Sequence, residues 1–521
     1  MIAKKTLQYT TQSRDNWKQK AILTNKKLLN MRKKLSYHKK VSIIRINKCK
    51  VDAQKTSQEI LQLRAENIAL KKKAESERLK PINANKDLVY FICINFYINA
   101  HVSFRAVPKI LEIFAAARLQ LLSSVLLRAP HFTSVITWAM RVGLSLLANI
   151  KPCGEPWVAL VDMSIRSGKT KLMVVLRVPL SIYKRKEGGA VALEDCEVLA
   201  VHPRESWTAA SVKKELCALT DRLCDEPVAW VADGGSDLKK ALTELTQKKS
   251  KNGNKSFVVQ DIGHSFANIL KKKWQKDCRF KTFTASLLRM GKRLRQTSLA
   301  HLAPPKLRSK GRFQGISKVV EWGLSVSEYL RRSFRPNTKS AFQTKLKRCF
   351  GTLAKNEGFF KEMLLEISTG NEIQAIIKKY GINQKTWKLC QPTLDRLPEG
   401  EVKEGYMKWL MRHLRIANQM GGIQLLASTD VLESLFGAFK QRAGNHFSRD
   451  FGRLILTIPL MCGKMTEERV KSGLKLTSEA CLKDWIKENL TPSLLQKRKK
   501  CLRKAKKPRV DYEPQMAKKA A

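Results

Sequence analysis

Between Trp157 and Trp274 the apolar pattern changes period in a fixed order, and that order limits the folds open to this chain more than any other feature. The runs "WVALVDMSI" (157–165) and "KLMVVLRVPLS" (171–181) are dense in β-prone residues and are separated by "RSGKT", which predicts a hairpin. "CEVLAVHP" (196–203) predicts a third strand. Next, "SWTAASVKKELCALTDRL" places Val212, Leu216, Leu219 and Leu223 on one helical face. "PVAWVAD", the helix "SDLKKALTEL", "KSFVVQD" and the helix "HSFANILKKKW" complete the order β-β-β-α-β-α-β-α.

Three antiparallel strands followed by strand–helix alternation is the order expected of an α/β ribonuclease-H-like core with a mixed five-stranded sheet. In that order the first and fourth strands are neighbours, so Asp162 in "ALVDMS" and Asp233 in "VADGG" are expected to come together. Two carboxylates at close range repel each other unless a cation lies between them, and a divalent metal serves well. Either aspartate alone also reads as a strand-end residue capping the next helix. Two-metal phosphoryl chemistry calls for about three carboxylates around Mg²⁺ or Mn²⁺, and the best candidate for the third is Glu433 in "LLASTDVLESLFGAFKQRAG". With Thr429 or Asp430 as cap, Glu433, Gly437 and Lys440 share one helical stripe, which would let a DNA backbone approach and Lys440 meet a phosphate. The competing reading is an ordinary amphipathic helix with Leu432, Leu435, Phe436 and Phe439 inward.

The partner follows from charge. Lys+Arg number 100 against Asp+Glu 44, a formal net charge of +56, which selects a polyanion, with double-stranded DNA the default. A membrane is not expected: "LVYFICINFYI" is too short to span, and "ILEIFAAARLQLLSSVLL" contains Glu112 and Arg118. The N-terminus lacks the apolar core of a secretory leader, and the 12 cysteines include no Cys-x-x-Cys pair, so an intracellular protein with reduced thiols is expected, cytoplasmic and associated with the nucleoid.

Six regions are expected along the chain. Residues 1–80 form a basic helical arm, in which Ile60, Leu63, Asn67 and Leu70 carry coiled-coil spacing that a solvated basic helix explains equally well. Residues 81–150 form a helical region like a helix-turn-helix DNA reader or an ordinary linker domain: Ile136, Met140, Val142 and Leu146 face inward, while Thr137 and Arg141 are left exposed for DNA. Residues 151–275 are the first part of the core. Residues 276–425 are a helical insertion, either a wall of a DNA channel or a plain scaffold. Residues 426–465 carry the third acid, and 466–521 form a basic tail, disordered over 494–521.

Taken in order, "WVALVDMSI", "VAWVADGGSDLKKAL", "FVVQDIGHSFANILKK" and "STDVLESLFGAFK" resemble a DDE transposase of the ribonuclease-H-like superfamily, of the kind found in bacterial insertion sequences. The resemblance covers most of residues 81–465. It implies Asp162, Asp233 and Glu433 as catalytic, metal-holding acids with two Mg²⁺ or Mn²⁺ ions, DNA end cleavage followed by strand transfer, and a homodimer or larger synaptic assembly. Asp261 with His264 resembles the Asp-x-x-His element of Mutator-like and hAT transposases, which makes His264 a catalytic candidate; it also reads as a helix-start histidine paired with Asp261. Two departures stand out: Leu426 and Thr429 occupy the places where some insertion-sequence families carry Tyr and Arg, and the interval from Asp233 to Glu433 is long.

Overall fold

The computed structural model describes residues 14, 16–25, 28–33, 35–36, 86–116, 129–165, 170–185, 189–247, 255–307, 313, 315–333, 341–351, 353, 356–443, 451–492 and 494–505. The coiled-coil spacing at 60–70, most of the "RSGKT" turn and residues 506–521 lie outside them. The chain divides into a unit of residues 1–83 and a unit of residues 84–521. In the first, the described residues are helical and exposed.

The second unit is mixed α/β, mostly helical, around one five-stranded sheet of order β3-β2-β1-β4-β5. β1 (Trp157–Ile165) pairs antiparallel with β2 (Lys171–Pro179), which pairs antiparallel with β3 (Glu197–Arg204). On its other side β1 runs parallel to β4 (Ala229–Ala232), and β4 parallel to β5 (Phe257–Gln260). Alternation sorts the side chains of this sheet onto two buried faces. Trp157, Ala159 and Val161 join Trp230 and Ala232 against Val212, Leu216, Leu219 and Leu223 of α4 (Ala209–Leu223) and Leu238, Ala241 and Leu242 of α5 (Ser236–Thr246). Val158, Leu160, Ala229 and Val231 face the opposite layer, which holds α6 (Ile262–Trp274) and α13 (Asp430–Arg442).

Three helices precede the sheet: α1 (Lys86–Ile98), α2 (Ala106–Ala116) and α3 (Phe132–Ala148). α3 is a core helix, not an open reader. Its buried residues include Val135, Ala139, Val142, Gly143 and Leu147, whereas Ile136 and Leu146 are only half-buried. Small residues make that contact: a Cβ on Gly143 would stand 1.7 Å from the Leu456 carbonyl oxygen, so the 3₁₀ segment Arg453–Met461 lies directly on α3.

The helical region consists of α7 (Cys278–Leu294), α8 (Ser317–Ser333), α9 (Ala341–Phe350), α10 (Glu357–Tyr380), α11 (Gln384–Asp395) and α12 (Glu401–Gln419). Trp322, Trp387 and Trp409 all pack into its core. α12 also fastens to the sheet: Nε2 of the buried His413 accepts the Gln260 backbone N–H of edge strand β5 at 3.1 Å, while its Nδ1 meets the Trp409 carbonyl at 2.7 Å.

The C-terminal region departs from the expected tail. α14 (Glu467–Leu476) and α15 (Glu479–Asn489) are folded, with Val470, Gly473 and Leu482 buried, and Gly473 in close contact with Val142 of α3. α16 (Leu494–Ala505) continues the chain as a basic helix where disorder was expected. Among the described residues no helix is long and apolar enough to cross a membrane, and the cysteines are free.

Candidate active site

Parallel pairing brings the first two acids together. Val161 of β1 pairs with Ala232 of β4, so the next residue on each chain, Asp162 and Asp233, continues the same row on the face shared by Leu160 and Val231. Both are half-buried. Asp162 Oδ1 accepts the Met163 N–H at 2.6 Å. After Asp233 the chain leaves the strand through Gly234 at φ +83, a conformation that requires glycine, and the Gly235 N–H returns to Asp233 Oδ1 at 2.9 Å. The sequence "DGG" is therefore a strand-to-helix turn that keeps the aspartate at the C-terminal end of its strand, where α/β sheets commonly bind ligands.

The pair carries an electrostatic deficit. Burial first, and the charge of Asp233 second, push the Asp162 carboxyl up to about 7; Glu433 adds to the rise, while the Met163 hydrogen bond and His264 oppose it.

The third acid arrives from the far end of the chain. α13 buries Leu432, Leu435, Phe436 and Phe439 and turns Glu433 outward, with the side chain 52% exposed. His264, on the first turn of α6, places Nε2 3.8 Å from Glu433 Oε1 and Nδ1 3.0 Å from Asp261 Oδ2. The hydrogen bond to Asp261, with the charges of Asp261, Asp233 and Glu433, outweighs burial and pushes the ring up to about 9, so it is cationic at neutral pH. Asp261 is buried. Desolvation opposes its charge, but hydrogen bonds from the His264 ring, the His264 N–H and the Thr429 N–H hold its carboxyl below the ordinary value.

Among the described residues no group of three His, Cys, Asp or Glu side chains stands together as a metal-binding set. The donor chemistry nevertheless fits a hard divalent cation at Asp162 and Asp233: two oxygen donors, one with its proton affinity raised for want of a countercharge. Glu433 instead faces His264.

The helical region supplies a wall beside Glu433. Gln374 and Lys378 of α10 and Tyr406 of α12 line a cavity of about 210 Å³ together with Gly263, Asp430 and Glu433. Lys378 Nζ lies 2.5 Å from Asp430 Oδ2, joining the end of α10 to the start of α13. No local pattern in "EIQAIIKKY" singles out Lys378 for this pairing.

The residues expected to meet DNA fare differently. Arg141 is not open to DNA: its Nε donates to the Thr477 carbonyl at 2.7 Å and its Nη2 to the Leu474 carbonyl at 2.5 Å, because α14 packs over it. Thr137 is half-buried, its Oγ1 donating to Thr133 O at 3.0 Å. Lys440 is half-buried on the outward side of α13, its Nζ 5.8 Å from the Phe436 ring centre, next to the exposed Gly437. No protein-family model matches this chain, and no curated protein matches its sequence.

Proposed function

We propose that this chain is a DDE transposase built on a ribonuclease-H-like core, which cleaves DNA at the ends of its own element and joins them to target DNA. The observation that carries the reading is the parallel register of Val161 with Ala232, which sets Asp162, inside β1, beside Asp233, the residue that follows β4, on the face turned toward Glu433 and His264. The strand order and the mixture of parallel and antiparallel pairs are compatible with such a core and support the reading. The net charge of +56 supports DNA as the substrate and location at the nucleoid.

Both steps are in-line displacements at phosphorus. In the first, water oxygen bonds to phosphorus and the 3′-oxygen leaves, taking up a proton; in the second, that freed 3′-hydroxyl gives up its proton, its oxygen bonds to a target phosphorus, and the target strand's 3′-oxygen leaves. Mg²⁺ or Mn²⁺, two ions in the expected arrangement, would be held by Asp162 and Asp233 with Glu433 as a further donor, and would supply Lewis acidity toward the phosphate oxygens. His264 offers its positive ring to charge growing on a non-bridging oxygen, held in aim by Asp261. Joining two ends calls for a dimer or larger assembly.

One observation favours a second reading, a DNA-binding protein without chemistry: Glu433 pairs with His264 and does not complete a three-ligand set. An end-cleavage and strand-transfer assay with labelled DNA from the gene's flanks, Mg²⁺ or Mn²⁺, and Asp233→Ala alongside separates the two. Metal-dependent nicking and joined product that vanish in the variant support the transposase. Binding of those ends without cutting by either protein would establish the second reading.

A further inference from the structure

We infer that Asp261 is a positioning residue that fixes Glu433 and His264 against the Asp162–Asp233 pair, an inference that rests on the transposase reading for its catalytic consequence. Its carboxylate is 2% exposed and divides its two oxygens between different parts of the chain. Oδ2 accepts the His264 N–H at 2.6 Å and the His264 ring Nδ1–H at 3.0 Å. Oδ1 accepts the Thr429 N–H at 2.7 Å, from a residue 168 positions away.

An ordinary helix cap needs only the first of these bonds. The second oxygen acts elsewhere: Thr429 is the N-cap of α13, yet its own side chain makes no capping bond, so Asp261 satisfies the start of the helix that carries Glu433. The neighbouring backbone reinforces the junction, with Ile262 N–H donating to Ala427 O at 2.9 Å. On its other side the Asp261 N–H donates to Ala232 O at 2.9 Å, one residue before Asp233. One buried residue thus joins the end of β4, through its backbone N–H, to the starts of α6 and α13, through its carboxylate.

Asparagine preserves the shape but has only one acceptor oxygen. With that oxygen toward the two His264 donors, its amide N–H₂ confronts the Thr429 N–H, and the start of α13 loses its partner. The test compares wild type, Asp261→Asn and Thr429→Pro, the last removing the N–H donor, together with the threonine side chain and some freedom in φ, while leaving Asp261 in place. Two readouts are taken: hydrogen exchange of the segment 426–436 without metal or DNA, and cleavage kinetics on labelled end DNA with Mg²⁺.

Both variants should exchange about 10-fold faster over that segment, and cleave with kcat lowered about 100-fold while KM stays within about twofold. Unchanged exchange at 426–436 in both variants overturns the inference whether or not the wild type cuts DNA. Faster exchange with wild-type kcat, measured per folded molecule, also overturns it, since Asp261 would then be structural only. If wild type does not cut, the transposase reading fails, and with it the catalytic role; faster exchange in both variants then supports the positional clamp alone.

Discussion

Replacing Asp162 by asparagine should stabilise this protein while removing the proposed DNA cleavage. The magnitude follows from the surroundings of the carboxyl. Burial and Asp233 raise its pKa from the ordinary 3.8 to about 7. At about 1.36 kcal/mol per pH unit, the ionised group therefore costs the folded state about 4 kcal/mol once pH exceeds both values. The sign is fixed by proton binding: between 3.8 and about 7 the folded state holds the proton more tightly, so wild-type stability falls as pH rises through that window and stays reduced above it. Asparagine is neutral throughout, and its side-chain oxygen can still accept the Met163 N–H. Urea unfolding in chelated buffer should find Asp162→Asn more stable by up to about 4 kcal/mol near pH 8, and the advantage should shrink toward zero near pH 4. Adding Mg²⁺ at pH 8 should raise the wild-type midpoint more than that of the variant. A variant less stable than wild type at pH 8, or an advantage independent of pH, would refute the assignment of Asp162 as a buried acid lacking a countercharge.

Two further outcomes concern groups that hold the fold around the site. His413 is buried with both ring nitrogens engaged as a neutral tautomer, and burial, with a smaller contribution from Arg412, depresses it from 6.5 to about 4 against the opposing Trp409 carbonyl. The unfolded chain then binds the extra proton, so about 3 kcal/mol of stability present above 6.5 is lost as pH falls toward about 4. Unfolding at several pH values should find the advantage of wild type over His413→Gln shrinking by that amount on acidification; a constant gap would sink the idea. Arg141→Met strands the carbonyls of Leu474 and Thr477 and should cost about 2 kcal/mol in thermal or urea unfolding. It should leave DNA affinity per folded molecule unchanged, whereas a pure affinity loss would restore Arg141 as a DNA contact.

Much of the sheet was legible because its residues obey a local period. Val212, Leu216, Leu219 and Leu223 are buried on one face of α4, as their spacing requires, and strand density between 157 and 260 marks all five strands to within a few residues. The placement of Asp162 beside Asp233 was legible too, since one lies inside the first strand and the other at the end of the fourth, and the adjacency of those strands follows from element order. α3 misled because small residues carry its contacts: Ala139, Gly143 and Ser145 are buried where an apolar count sees no signal. Charge misled in the same way at the C-terminus, where Lys471 and Lys475 flank Val470 and Gly473 on a helix packed against α3.

What the sequence could not display is how Glu433 is carried back to the sheet after the long helical region. Four links do this, and each joins residues far apart in the chain. His413 holds α12 to the edge of β5. Ile382 bridges to Leu425, fixing the exit from the helical region. Lys378 grips Asp430, and Asp261 receives the Thr429 N–H. The last three converge on residues 425–430, immediately before Glu433. The region 278–419 therefore does more than fill an interval: it ends on a braced segment, so the direction of α13 depends on helices that share no local sequence signal with it. A disturbance of α10 or α12 should reach Glu433 before it reaches Asp162, whose position is set by pairing within the sheet.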